Sequence, residues 1–232
     1  MKKVLIIGAS SGIGRELALQ YASLGYQVVA LARRLDKLKE IASENISYDF
    51  IDINKVEDAI LKIKYLIIDT DISIICAGIG DLNDSLDFNI EYETIKTNII
   101  GFTAIVDTIF NYYKSIKNGH IVALSSIASI RGSDIAPAYN ASKAYVSNYM
   151  EGLKKKSVKE NLNINVTTIL PGLVDTQMAK GEGLFWVEPV NVIAKEIISA
   201  IEKKKTKHIV SKRWNIIAIL LKLLPSKIYY KL

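Results

Sequence analysis

A tyrosine and a lysine stand four residues apart in the stretch YNASK (139–143). On a helix, positions i and i+4 lie on one face. An ammonium beside a phenol favours the phenolate and lowers its pKa from about 10. A phenol tuned in this way can give or take a proton near neutral pH. Tyr-x-x-x-Lys pairs also arise by chance on many helices, so the elements around Tyr139 and Lys143 must decide.

Two further stretches bear on the question. The strand candidate KKVLII (2–7) runs into GASSGIG, with Gly8, Gly12 and Gly14 spaced G-x-x-x-G-x-G. Gly8 permits a tight turn, Gly12 a close approach of backbone to an anion, and Gly14 close helix packing. The helix that follows points free N–H groups and a positive dipole end at that anion. A β–α turn with no ligand would use the same residues. A later apolar run, HIVALSS (120–126), ends on Ser126, thirteen residues before Tyr139.

The elements that must position these groups alternate along the chain. Strands are expected at 2–7, 26–32, 46–52, 71–77, 120–126, 164–170 and 208–210. Helices are expected at 12–24, 35–43, 55–66, 91–117, 137–160, 188–204 and 213–224. Strands made almost wholly of Val, Ile and Leu are buried on both faces, the mark of a parallel sheet covered by helices. The expected fold is α/β, a doubly wound parallel sheet of about seven strands in three αβα layers. Residues 1–212 would form one domain, with 213–232 as an apolar, basic C-terminal segment.

Together, the glycine loop, YNASK, Ser126 and LPGLVDT (170–176) resemble the short-chain dehydrogenase/reductase family in its compact single-domain branch, a Rossmann fold. The resemblance covers roughly residues 2–211. It implies a reactive group of Ser126, Tyr139 and Lys143, completed by Asn98 in KTNIIG. Tyr139 would be the general acid in carbonyl reduction and the base in alcohol oxidation. Ser126 would donate to the carbonyl oxygen, Lys143 would also hold the nicotinamide ribose, and Asn98 would hold a relaying water. The cofactor would lie along Gly8, Ser10, Ser11, Gly12, Ile13, Gly14, Asp52, Ala77, Gly78, Tyr139, Lys143, Pro171, Gly172, Val174 and Thr176. Where the family usually has Asn-Asn-Ala-Gly, this chain has Ile75-Cys76-Ala77-Gly78.

The end of the second strand speaks to cofactor choice. A site for NAD places Asp or Glu there, against the ribose 2′-OH. Here Ala32 is followed by Arg33 and Arg34, and a guanidinium can hold a 2′-phosphate in a bidentate grip. NADP(H) is therefore expected, led by Arg33; two solvated surface charges are the alternative. The reaction expected is NADPH-dependent reduction of a ketone or aldehyde, or its reverse. A 3-oxoacyl-carrier reductase and a non-catalytic NADP-binding sensor or scaffold are the rivals. No metal is needed, and His120 and His208 have no ligand spacing. Family pairing through two long helices would give a homodimer or homotetramer, although Lys154, Lys155 and Lys156 make that face less apolar.

The chain has 232 residues, one cysteine and a net charge of +6. Nine Lys or Arg and no acid lie between Lys203 and Leu232, leaving −3 on residues 1–202. The basic character thus belongs to the tail, and no nucleic-acid motif accompanies it. The apolar run at the N-terminus is too short for a leader, and no stretch reaches the ~20 apolar residues of a spanning helix, so a cytoplasmic protein is expected. QMAKGEGLFWV (177–187) would be a substrate lid, with Gly181 and Gly183 as hinges and Phe185 and Trp186 closing over an apolar substrate. Equally, both rings would pack the last helix onto the sheet. The tail helix reads as packed on the domain or a partner, because Lys222 is the only charge in 214–224. Its alternative is a membrane interface, reached by a peripheral contact.

Overall fold

A computed structural model of the chain describes residues 2–176 and 185–231. The strands are β1 (Lys3–Ile7), β2 (Gln27–Ala32), β3 (Ile46–Phe50), β4 (Ile72–Ile75), β5 (Asn118–Leu124), β6 (Asn163–Pro171) and β7 (Lys207–Val210). They form one sheet in the order β3-β2-β1-β4-β5-β6-β7, with every ladder parallel. Parallel neighbours need crossover connections, and here helices supply them. These are α1 (Gly12–Ser23), α2 (Leu35–Lys39), α3 (Val56–Leu66), α4 (Phe88–Ile95), α5 (Phe102–Ile116), α6 (Pro137–Lys159) and α7 (Val190–Glu202). The tail adds α8 (Lys212–Leu223) and the short α9 (Ser226–Tyr229).

Period-two alternation splits the central strands between two cores. Val4 and Ile6 pack with Leu17, Ala18, Ile197 and Ile201 beneath α1 and α7. Leu5 and Ile7 pack with Ile63, Ile105, Ile109 and Met150 beneath α3, α5 and α6. This is the doubly wound, Rossmann-type architecture. The order of connections reverses between β1 and β4, where ligands of such sheets sit beyond the strand C-termini.

The single helix expected over 91–117 is α4 and α5 joined by a wide π turn, Lys96–Gly101. A Cβ at Gly101 would come within 2.7 Å of the Ile53 carbonyl oxygen, so only glycine lets this turn press on the loop after β3. π turns of this kind gather at functional sites, and this one carries Asn98.

The tail folds back over the same sheet end. Trp214 is buried, with its indole where a Cβ at Gly172 would collide with it. The Arg131 guanidinium donates to the Leu224 carbonyl and stands 4.3 Å from the Tyr229 ring centroid. Tyr229 in turn donates its hydroxyl proton to the Gly132 carbonyl. Among the described residues, no helix is long and apolar enough to cross a membrane.

Candidate active site

Strand β1 ends at Ile7, and its carbonyl accepts from the backbone N–H groups of Cys76 (2.8 Å) and Ala77 (2.9 Å). The ends of β1 and β4 are thereby held together. Gly8 has φ +94° and Gly12 φ +53°, backbone that L side chains avoid. A Cβ at Gly8 would lie 2.5 Å from the Ala77 nitrogen, and one at Gly14 would collide with the Gly8 carbonyl. Ser11 caps α1 without bonding its first-turn N–H groups through the side chain. Those groups open on a cleft of about 340 Å³ lined by Ser10, Ser11, Gly12, Arg15, Asp175 and Thr176. A bare glycine cradle with an open helix N-terminus has the form that a diphosphate requires.

Arg34 closes one side of this cradle. It reaches the Ser10 hydroxyl through Nε (3.2 Å) and Nη2 (3.0 Å), and the Ser11 hydroxyl through Nη2 (2.6 Å). The expectation is led by Arg33; both arginines are exposed, and only Arg34 bonds the loop. Arg34 is also the residue that caps α2 (φ −90°, ψ 87°).

The second cluster lies beyond β4 and β5. Ser126 caps a 3₁₀ turn (Ile127–Ile130), its Oγ accepting from the Ala128 N–H at 3.1 Å. The same hydroxyl is hydrogen-bonded to the Tyr139 phenol. Pro137, pre-set in φ, opens α6 and puts Tyr139 in its first turn. The Tyr139 ring lies against Gly80, where a Cβ would come within 2.5 Å of the ring. Lys143 is 6% exposed, and its Nζ donates to the Leu124 carbonyl at 3.1 Å, 5.7 Å from the Tyr139 ring centroid.

Asn98 reaches the same place from the π turn. Its Oδ1 accepts from the Ile79 N–H (2.9 Å), and its Nδ2 donates to the Ile79 carbonyl (2.7 Å) and to Ser142 Oγ (3.0 Å). Ser142 donates to the Tyr139 carbonyl. Ser125 donates to the Lys143 carbonyl and pairs with Ser147. Gly78 lies over the cluster, where a Cβ would be 3.2 Å from Lys143 Nζ and 3.3 Å from Asn98 Oδ1. Ser125, Ser142, Ser147 and Gly80 are absent from the sequence reading. Ser142 had one signal, a small hydroxyl between Tyr139 and Lys143.

Burial dominates the electrostatics. It raises the Tyr139 pKa above the usual phenol value, with the Ser126 hydrogen bond pulling the other way. It lowers Lys143 from 10.5 to about 8. The direction for the phenol is set by its burial, not by the lysine. The ammonium is turned to the Leu124 carbonyl, and removing the phenol from water disfavours the phenolate.

The remaining candidates are more dispersed. Asp52 accepts from the Asn54 N–H at 3.1 Å and starts the turn into α3. Ile13 packs partly on the core. Pro171 ends β6, and the Gly172 N–H donates to the Val210 carbonyl. Buried Val174 bridges to Glu188, and Thr176 stands where a Cβ at Gly12 would meet it at 3.1 Å. In the lid candidate, Gly181 and Gly183 lie outside the described residues. The Phe185 and Trp214 ring centroids are 5.5 Å apart, and the Trp214 indole N–H donates to the Trp186 carbonyl at 3.3 Å.

Fold and site together have the form of an oxidoreductase built on a doubly wound sheet, with both clusters at the strand C-termini. The sequence model described as short chain dehydrogenase matches residues 2–184. An uncharacterized oxidoreductase of Staphylococcus haemolyticus is 34% identical over 85% of this chain and 89% of its own length. Another, from Myxococcus xanthus, is 31% identical over 76% of this chain and 74% of its own. Among solved structures, a short chain dehydrogenase from Burkholderia cenocepacia in complex with NADP superposes with a TM-score of 0.88. It is 20% identical and covers 100% of this chain and 98% of its own. A short-chain dehydrogenase from Sphingobium yanoikuyae in complex with NADPH gives 0.82 at 21% identity, with coverage of 94% and 92%. The chain belongs to the short-chain dehydrogenase family.

Proposed function

We propose that the protein reduces a ketone or aldehyde with NADPH, or oxidises the matching alcohol with NADP⁺. The observation that carries this is one convergence. Next to a glycine cradle open on a helix N-terminus, a phenol hydrogen-bonded to a serine has its ring centroid 5.7 Å from a buried lysine ammonium.

When bound, the nicotinamide supplies the hydride, and the residues of this chain manage the charge and the proton. Ser126 Oγ donates to the substrate oxygen where negative charge develops. Tyr139 gives that oxygen its proton, completing the alcohol. Its raised pKa keeps the phenol protonated and ready for the reductive direction. Lys143, charged below about pH 8, holds the ribose hydroxyls and favours the phenolate left behind. Asn98 holds Ile79 and, through Ser142, the first turn of α6, so it positions the group that reacts.

Arg34, tied to Ser10 and Ser11, takes the 2′-phosphate, with no acid at Ala32 to repel it. Gly8, Gly12, Ile13 and Gly14 would carry the diphosphate. Asp52 would lie toward the adenine. Ala77 and Gly78 would flank the nicotinamide half, opposite Pro171, Gly172, Val174 and Thr176.

Steady-state turnover of a carbonyl panel followed by NADPH absorbance tests the reading. Tyr139→Phe should lower turnover by ~10²–10⁴ while NADPH binding, read by fluorescence, stays. Near-normal turnover in Tyr139→Phe, or a clear preference for NADH, would refute it.

A further inference from the structure

Helix α8 has two apolar stripes on opposite faces. One, with Trp214, Ile217, Ala218 and Leu221, turns inward, and Trp214 and Ala218 are buried. The other is Ile216, Ile219, Leu220 and Leu223, spaced i, i+3, i+4, i+7 and between 51% and 76% exposed. An amphipathic helix shows water its polar face; this one shows water a second apolar face. Ile228 and Tyr230, further along the tail, are also exposed, and the exposed Phe185 and Trp186 flank the start of the helix. Contiguous patches of this kind mark interaction surfaces.

Charge decides what fits it. Lys212, Arg213, Lys222, Lys227 and Lys231 border the stripe, all are exposed, and no acid occurs from Lys203 to Leu232. A second copy seated on this face by a twofold axis would set basic residues against basic residues. Lysines around an apolar stripe suit a surface that is apolar within and anionic at its rim, which is a bilayer with acidic headgroups.

We propose that the outer face of α8, continued through α9, docks the protein on an anionic lipid surface. The inner face holds the sheet while the outer face enters the headgroup boundary. The same segment packs on Gly172 and on the loop after Ser126. On the function proposed above, docking brings the substrate side of the site to the lipid and directs it to an apolar carbonyl compound dissolved there.

Sedimentation of the full chain with vesicles tests the surface without using activity. Wild-type protein should sediment with phosphatidylcholine vesicles containing phosphatidylglycerol, weakly with phosphatidylcholine alone, and less in high salt. Ile216→Glu/Leu220→Glu should lower binding by more than about tenfold with the thermal midpoint kept. Lys227→Gln/Lys231→Gln, which leaves the apolar stripe intact, should lower it by about tenfold, and only on the anionic vesicles. Absence of sedimentation in the wild type would overturn the proposal, as would binding unchanged in Ile216→Glu/Leu220→Glu. So would a soluble oligomer that this variant splits while vesicles bind neither form. Turnover of a water-soluble aldehyde, measured in parallel, separates the two readings. Vesicle binding by a chain that reduces no carbonyl would support the surface and sink the enzymatic reading alone.

Discussion

Two sides of the site are held by different means. On the inner side, the π turn, the loop after β4 and α6 are joined by directional hydrogen bonds through Asn98, Ser142, Ser125 and Ser147. On the outer side, α8, α9 and the residues around Phe185 meet mainly through rings, Trp214 on Gly172 and Phe185, and Arg131 over Tyr229. Satisfied polar networks fix both distance and angle, as a reacting group requires. Ring packing fills volume and tolerates small sliding. On the proposed function, the inner side would place a proton donor and the outer side would cover it.

Substitutions on the two sides should therefore fail differently. Trp214→Ala should cost about 3–5 kcal/mol by leaving a void over Gly172, read as a lower urea midpoint. KM should rise more than kcat falls; a fall in kcat alone would erase the distinction. Asn98→Leu should cost about 1–3 kcal/mol for each Ile79 backbone group left without its partner. Its kcat should fall more than its KM rises, the reverse of Trp214→Ala.

Smaller effects sharpen the contrast within the cofactor side. Arg34→Ala should lower the NADPH-over-NADH ratio of kcat/KM by about tenfold, the worth of one charge-assisted contact. Arg33→Ala should change it less, and equal losses would remove the special place of Arg34. The mildest effect is that of pH. Burial lowers the Lys143 pKa to about 8, so its charge is complete below that pH and lost above it. Activity that uses this ammonium should fall about twofold over the first half unit above about pH 8. A flat profile to pH 10 would show that the charge is not needed.

Much of this arrangement is legible in the residues. Runs such as VLII and IVAL carry their burial in their composition, so the seven strands and their parallel pairing follow. Gly8 and Gly14 are legible because their neighbours leave no room for a Cβ. The rest depends on contacts far apart in sequence. The apolar period of 91–117 runs unbroken through the π turn, so nothing local announces the widening. Arg33 and Arg34 are chemically identical, and the residues alone do not say that Arg34 is the one bonded to Ser10 and Ser11. Ser142 gains its place from Asn98, 44 residues away. The tail offers two equivalent stripes, and the groove at Gly172, which takes Trp214, chooses the one turned inward.

The wide turn at 96–101 also bears on chain length. It holds an extra residue compared with an ordinary helical turn, and a deletion of any one of the six would let the segment relax into a regular spiral. The faces of α4 and α5 would keep their relation, because the wide turn is what absorbs the extra residue, but positions inside the turn, Asn98 among them, would move around the axis. Loss of a single codon here should be tolerated far worse than most exchanges of one amino acid for another, because it would aim the Asn98 amide at a different neighbour.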